Sequence, residues 1–179
     1  LVKKAKNTEF GKDHNFSSIK NYKDFQNQVP IRDYEGLKPY VDRVVAGEKN
    51  ILWPGQPLYF AKTSGTTSGA KYIPITKESI RTHINSARDA LLNYFLKTKN
   101  YSPINGKHMF LQGSPKLDKK NGVFIGRLSG ISAHYIPKLF LNNRKPSWDT
   151  NCIEDWEEKV DAIIKETVGE KMTIIAGIP

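Results

Sequence analysis

Leu58-Tyr59-Phe60-Ala61, Thr63-Ser64-Gly65-Thr66-Thr67-Ser68-Gly69-Ala70-Lys71 and Tyr72-Ile73-Pro74-Ile75 follow one another with only Lys62 between the first two. Two short runs rich in aromatic and β-branched residues thus enclose a polar segment of small side chains. The runs read as strands and the segment as the turn between them. Pro74 lacks a backbone N–H, which places the second run at a sheet edge or an irregularity.

Helical periods lie on both sides of this pair. Upstream, Ile19, Tyr22 and Phe25 have helical spacing, in a short helix that ends before Pro30. Asp33 is suited to cap a helix running to Ala46, with Leu37, Tyr40, Val41, Val44 and Val45 as its apolar set and Gly47 as its stop. Residues 1–18 are mostly polar and read as a loose arm. Downstream, Thr76 can open a long helix to about Lys99, with Ile80, Ile84, Ala87, Leu91, Tyr94 and Phe95 near one face.

Met109-Phe110-Leu111 and Val123-Phe124-Ile125 read as strands, joined by a basic loop containing Lys119, Lys120, Asn121 and Gly122. Residues 126–133 read as a Gly/Ser turn. Asn151 with Glu154 resembles a capping box for a helix carrying Ile153, Trp156, Val160, Ile163 and Ile164, stopped by Gly169. Met172 to Ala176 reads as a buried parallel strand. Helices alternating with short strands give a mixed α/β class.

Composition narrows the function. The 179 residues are 38% hydrophobic and 26% charged, which suits a globular core. The longest apolar runs, such as Leu58 to Ala61, are too short to span a bilayer as a helix. A single cysteine, Cys152, excludes a disulfide scaffold and a multi-cysteine zinc site. No signal peptide or lipidation motif is visible, and a cytoplasmic location is expected. The chain starts at Leu1 and stops at Pro179 just after an apolar strand, so a fragment is expected.

The net charge of +10 is uneven. Residues 51–150 hold fifteen basic and four acidic side chains, whereas residues 151–179 hold three and seven. A basic middle favours an anionic partner, although dispersed lysines also make an ordinary solvated surface.

The segment from Thr63 to Lys71 has the chemistry of a phosphate cradle. Glycines let backbone N–H groups approach a phosphate, hydroxyls add donors, and a lysine adds positive charge. It is not a Walker A loop, because three residues separate Gly65 from Gly69 and Ala70 precedes Lys71. It is not a dinucleotide fingerprint either, which places its glycines at a strand-to-helix turn. A plain Gly/Ser/Thr hairpin turn is the other reading.

The segment resembles the phosphate-binding loop of the acyl-adenylate-forming superfamily. Gly69 followed by Lys71-Tyr72-Ile73-Pro74 resembles, within it, the Gretchen Hagen (auxin-responsive) family of acyl-acid amido synthetases. The upstream stretch Val29-Pro30-Ile31-Arg32-Asp33-Tyr34-Glu35-Gly36-Leu37-Lys38-Pro39-Tyr40, then Ala46-Gly47-Glu48, resembles the same family. Ser68 and Ala70 depart from the superfamily's usual Gly and Pro.

The resemblance implies a ligase that activates a carboxylic acid with ATP as an acyl-adenylate and passes the acyl group to an amine or amino acid. It implies that Ser64, Gly65, Thr66, Thr67, Ser68 and Gly69 hold the ATP phosphates, with Lys71 as a supporting charge and Mg²⁺ on the phosphates. It further implies a helical segment over 1–50 and the front of an ATP-binding adenylation domain over 51–179. The later motifs of the family have no counterpart, so no turnover is expected from these residues alone. Catalytic residues are not identified.

Other candidates carry less. His14, His83, His108 and His134 lack ligand spacing. Cys152 flanks an expected helix start and reads as structural, and the tryptophans read as packing residues. Glu154, Asp155, Glu157, Glu158 and Asp161 read as a solvated helix start. Gly126 to Ser132 could line an acyl pocket or be a plain turn. The alternatives are an acyl-CoA ligase, which shares the adenylation step, and a nucleic-acid-binding module using Lys97, Lys99, Tyr101, Lys107 and Phe110.

Overall fold

The computed structural model describes residues 1–63 and 70–177, of Leu139 the backbone alone. Mixed α/β structure divides into two compact units, 1–77 with 119–125, and 78–118 with 126–179.

The first unit opens with helices α1 (Val2–Ala5) and α2 (Glu9–Asp13) and a 3₁₀ turn at Phe16–Ser18. The expected loose arm is therefore ordered. Small residues make this possible: Thr8 caps α2 by accepting the Gly11 N–H at 3.0 Å, and a Cβ on Gly11 would lie 2.1 Å from the Ala5 carbonyl oxygen. Phe10 stacks on His14 and meets Phe16 and Tyr40 edge-on. Periodicity does not register such a cluster, because polar residues surround its few apolar members.

Helix α3 (Tyr22–Gln28) ends before Pro30, and α4 (Tyr34–Val45) is capped by Asp33, whose carboxylate accepts the Gly36 N–H at 2.9 Å. Gly47 then takes φ +100°, a left-handed conformation suited to glycine. One face of α4 buries Val41, Val44 and Val45 against Ile51, Phe60, Val123 and Ile125. That apolar burial is the main force holding the helix to the sheet.

The sheet has the order β2-β1-β5-β4, from β1 (Tyr59–Lys62), β2 (Tyr72–Ile75), β4 (Asp118–Lys120) and β5 (Val123–Gly126). β1 and β2 pair antiparallel, Phe60 opposite Pro74, and Pro74 lies on the edge strand as its chemistry requires. The expected basic loop contains β4. Asn121 and Gly122 both have positive φ and form the tight turn of a β4–β5 hairpin, with Asn121 Nδ2 donating to the Val45 carbonyl at 2.8 Å.

The second unit begins with α5 (Lys77–Thr98). Ile80 and Phe95 are buried, whereas Ala87 and Tyr94 of the expected face are exposed. A three-stranded parallel sheet of order β6-β3-β7 follows, from β3 (Lys107–Leu111), β6 (Arg144–Lys145) and β7 (Met172–Gly177). β7 is parallel as expected but not buried, since it lies at the edge and Ile175 is 68% exposed.

The Gly/Ser segment is helical, α6 (Leu128–Ala133), followed by α7 (Lys138–Leu141). Gly130 packs so closely that a Cβ would lie 2.2 Å from the Ser114 carbonyl oxygen. Asn151 opens no helix. It lies inside α8 (Trp148–Cys152), capped by Ser147, and Asp155 caps α9 (Trp156–Thr167) by accepting the Glu158 N–H at 2.8 Å. Cys152 accordingly ends a helix rather than flanking a start.

Candidate functional site

The candidate phosphate residues Ser64, Gly65, Thr66, Thr67, Ser68 and Gly69 lie outside the described residues. What the structure defines is the frame that carries them. The Thr63 N–H donates to the Lys71 carbonyl at 3.0 Å, closing the β1–β2 hairpin at the root of the loop.

Strand pairing decides which groups at that root need other partners. Lys71 and Ile75 direct their carbonyls toward β1, accepting from Thr63 and Leu58. The alternate residues, Tyr72 and Pro74, face outward from the edge strand. Proline has no N–H to satisfy, and the Tyr72 N–H donates at 3.1 Å to the phenolic oxygen of Tyr34, in the first turn of α4. The Tyr72 ring meets the fully buried Phe60 edge-on at 6.1 Å.

Lys71 therefore stands immediately before a strand fixed from both sides. Its ammonium lies 5.0 Å from the Tyr34 ring centre and 3.9 Å from Glu35 Oε1. The two side chains are 34% and 55% exposed, so this is a water-screened and exchangeable pair. Lys120 Nζ lies 5.5 Å from the Tyr72 ring centre and Lys119 Nζ 5.2 Å from that of Phe124, adding positive charge on the same sheet. Tyr34 and Glu35 are in the recognisable upstream stretch, but no sequence pattern brings them to Lys71. Only the packing of α4 against the sheet does.

The second unit contains a different cationic group. Arg144 is 7% exposed, with Nε and Nη2 without hydrogen-bond partners among the described residues and its guanidinium 5.6 Å from the Trp148 ring centre. Lys159 is 8% exposed and donates to the Asn151 carbonyl at 2.8 Å. Burial pulls both groups below their ordinary pKa values, against the opposing influence of the nearby Cys152 sulfur. Asn151 donates to the Pro146 and Ser147 carbonyls.

Glu166 joins α9 to the start of α8. It accepts from the Ser147 N–H and Oγ, each at 2.6 Å, and from the Thr150 hydroxyl. Burial alone would raise its pKa, but these bonds and the charge of Lys145 hold the carboxyl below its ordinary range.

The remaining candidates have structural places. His14 pairs with the Phe10 carbonyl, His108 with that of Pro103 and His134 with that of Pro115, while His83 lies exposed on α5. Among the described residues no three His, Cys, Asp or Glu side chains gather as metal ligands. No described helix is long and apolar enough to cross a membrane. Glu154, Asp155, Glu157, Glu158 and Asp161 lie exposed at and near the start of α9. Lys107 donates to the Asn142 carbonyl and Phe110 is half-buried, so these two do not form part of an open stacking row.

Comparison with known proteins bears on this arrangement. A solved GH3.15 acyl acid amido synthetase is similar in fold, with a TM-score of 0.64 and 22% identity over 79% of this chain and 25% of that one. Residues 1–147 match the GH3 family N-terminal domain. The chain belongs to the GH3 family. The indole-3-acetic acid-amido synthetase GH3.10 of Arabidopsis thaliana is 36% identical over 132 residues, 72% of this chain and 22% of that protein. The jasmonoyl-L-amino acid synthetase JAR4 of Nicotiana attenuata is 27% identical over 105 residues, 57% of this chain and 18% of that protein. The chain thus matches about a fifth of the length of these relatives.

Proposed function

We propose that the protein carrying this chain is an acyl-acid amido synthetase that uses ATP. A carboxylate oxygen attacks the α-phosphorus, the bond to the bridging oxygen breaks, and pyrophosphate leaves. An amine nitrogen of an amino acid then attacks the acyl carbon of the adenylate, loses its proton, and AMP leaves. The loop from Ser64 to Gly69 holds the β- and γ-phosphates through backbone N–H groups and hydroxyls, with Lys71 as a nearby charge. Mg²⁺, when bound on the phosphates, supplies further neutralising charge.

One observation carries the reading: the loop of this GH3 chain springs from a hairpin closed by the Thr63–Lys71 bond and braced by Tyr34. Donors that stabilise a departing pyrophosphate act best when their positions are fixed beforehand, and a braced hairpin meets that need. Residues 1–50 would then be a helical segment ahead of the adenylation domain beginning at 51, working in the cytoplasm.

The test is acid-dependent exchange of pyrophosphate into ATP by the whole protein, followed by amide formation when amino acids are added. Residues 1–179 alone are expected to show no exchange. Failure of the whole protein to exchange with any of a broad set of aryl, indolyl and fatty acids would overturn the reading.

A further inference from the structure

The pair between Lys71 and Glu35 is an odd one for a lysine at the root of a phosphate loop. At 3.9 Å between water-screened, partly exposed groups it is a weak contact, too little to be a reason for the fold. The Tyr34 contact is stronger in architecture than in energy, because the same phenol ties down the next residue's N–H. Lys71 therefore has its backbone fixed and its ammonium only loosely held. Even with Mg²⁺ bound, a triphosphate presents more negative charge and more acceptor oxygens than one screened carboxylate, and it would win the competition for the ammonium.

We propose that Tyr34 and Glu35 form a resting place for the Lys71 ammonium, which holds it at the hairpin root until the phosphates of ATP take it. The proposal rests on the phosphate-loop reading and deepens it. Tyr34 and Glu35 are positioning residues, acting through Lys71, and Glu35 competes with the nucleotide. The sign of its effect follows. Removing the Glu35 charge should strengthen ATP binding, the reverse of what loss of a structural contact would do.

The experiment measures the dissociation constant of ATP with Mg²⁺ for the whole protein by calorimetry. Glu35→Gln should bind ATP about two- to fivefold more tightly, the range an exposed ion pair spans. The gain should shrink at high salt, which screens the resting pair. Glu35→Asp should bind like the wild type. In a Lys71→Met background, Glu35→Gln should change nothing, which separates competition for Lys71 from a simple change in net charge.

Unchanged or weaker binding by Glu35→Gln would overturn the proposal, and so would a gain that persists without Lys71. Wild-type affinity in Lys71→Met also overturns it. The phosphate-loop reading is tested separately, and falls if Thr66→Ile and Thr67→Ile both bind ATP as well as the wild type, so the two failures are distinguishable.

Discussion

Lys71 and Arg144 are both cations beside an aromatic ring, 5.0 Å from the ring of Tyr34 and 5.6 Å from that of Trp148. Their surroundings differ otherwise. Lys71 is a third exposed and has a carboxylate nearby, whereas Arg144 is 7% exposed and leaves two nitrogens unpaired among the described residues. A screened charge with a weak partner can change partners at small cost. A desolvated one cannot, and its burial opposes folding unless something compensates. The first arrangement suits a group that meets a ligand. The second belongs to the interior of its unit, with the Trp148 ring beside it.

That contrast can be broken at four places. The largest effect is expected from Glu166→Ala, which removes three charge-assisted bonds linking α8 and α9 and should cost about 3 kcal/mol in denaturant unfolding. Its folded pKa lies below the unfolded 4.5, so its stabilisation is present above that pH and lost as pH falls through the folded value. The acid-side loss should be smaller in Glu166→Ala.

Arg144→Met should raise stability by about 1 kcal/mol, since a largely buried guanidinium with two nitrogens unpaired among the described residues, partly offset by its contact with Trp148, gives way to a side chain of similar length. A fall of that size would mean that Arg144 has a partner in the whole protein. Lys159→Met should change stability by about 1 kcal/mol or less at pH 7, because relief of desolvation offsets the bond lost by the Asn151 carbonyl. The pH slope is the sharper readout. A folded pKa lowered from 10.5 means that wild-type stability climbs as pH rises from the folded value toward 10.5, and that climb should vanish in Lys159→Met. The smallest change, under about 0.5 kcal/mol, is expected from Glu35→Gln, whose exposed pair matters to binding and not to folding.

Much of the fold was legible where one local rule acted alone. Asp33, Gly47 and the apolar stripe between them define α4, and Pro74 identifies the edge strand. Reading failed where close approach or competing caps decided. Gly11 and Gly130 are small because a carbonyl lies against them, which no pattern of hydropathy reports. Asp155 took the cap expected of Asn151, whose side chain is buried and donating to carbonyls instead. Asn121-Gly122 was a readable turn signal whose strand partner, Asp118–Lys120, is too polar to look like a strand. At the site, the loop could be read from composition, but Tyr34 and Glu35 could not, since their nearness to Lys71 arises from packing across 37 and 36 positions of chain.

The most direct test of the central claim, that the hydroxylated loop on this hairpin grips ATP, is pyrophosphate exchange by the whole protein carrying Thr66→Ile or Thr67→Ile. Loss of preorganised donors should lower the acid-dependent rate by about 100-fold or more, with the unfolding midpoint unchanged. Exchange at the wild-type rate in both variants would contradict it.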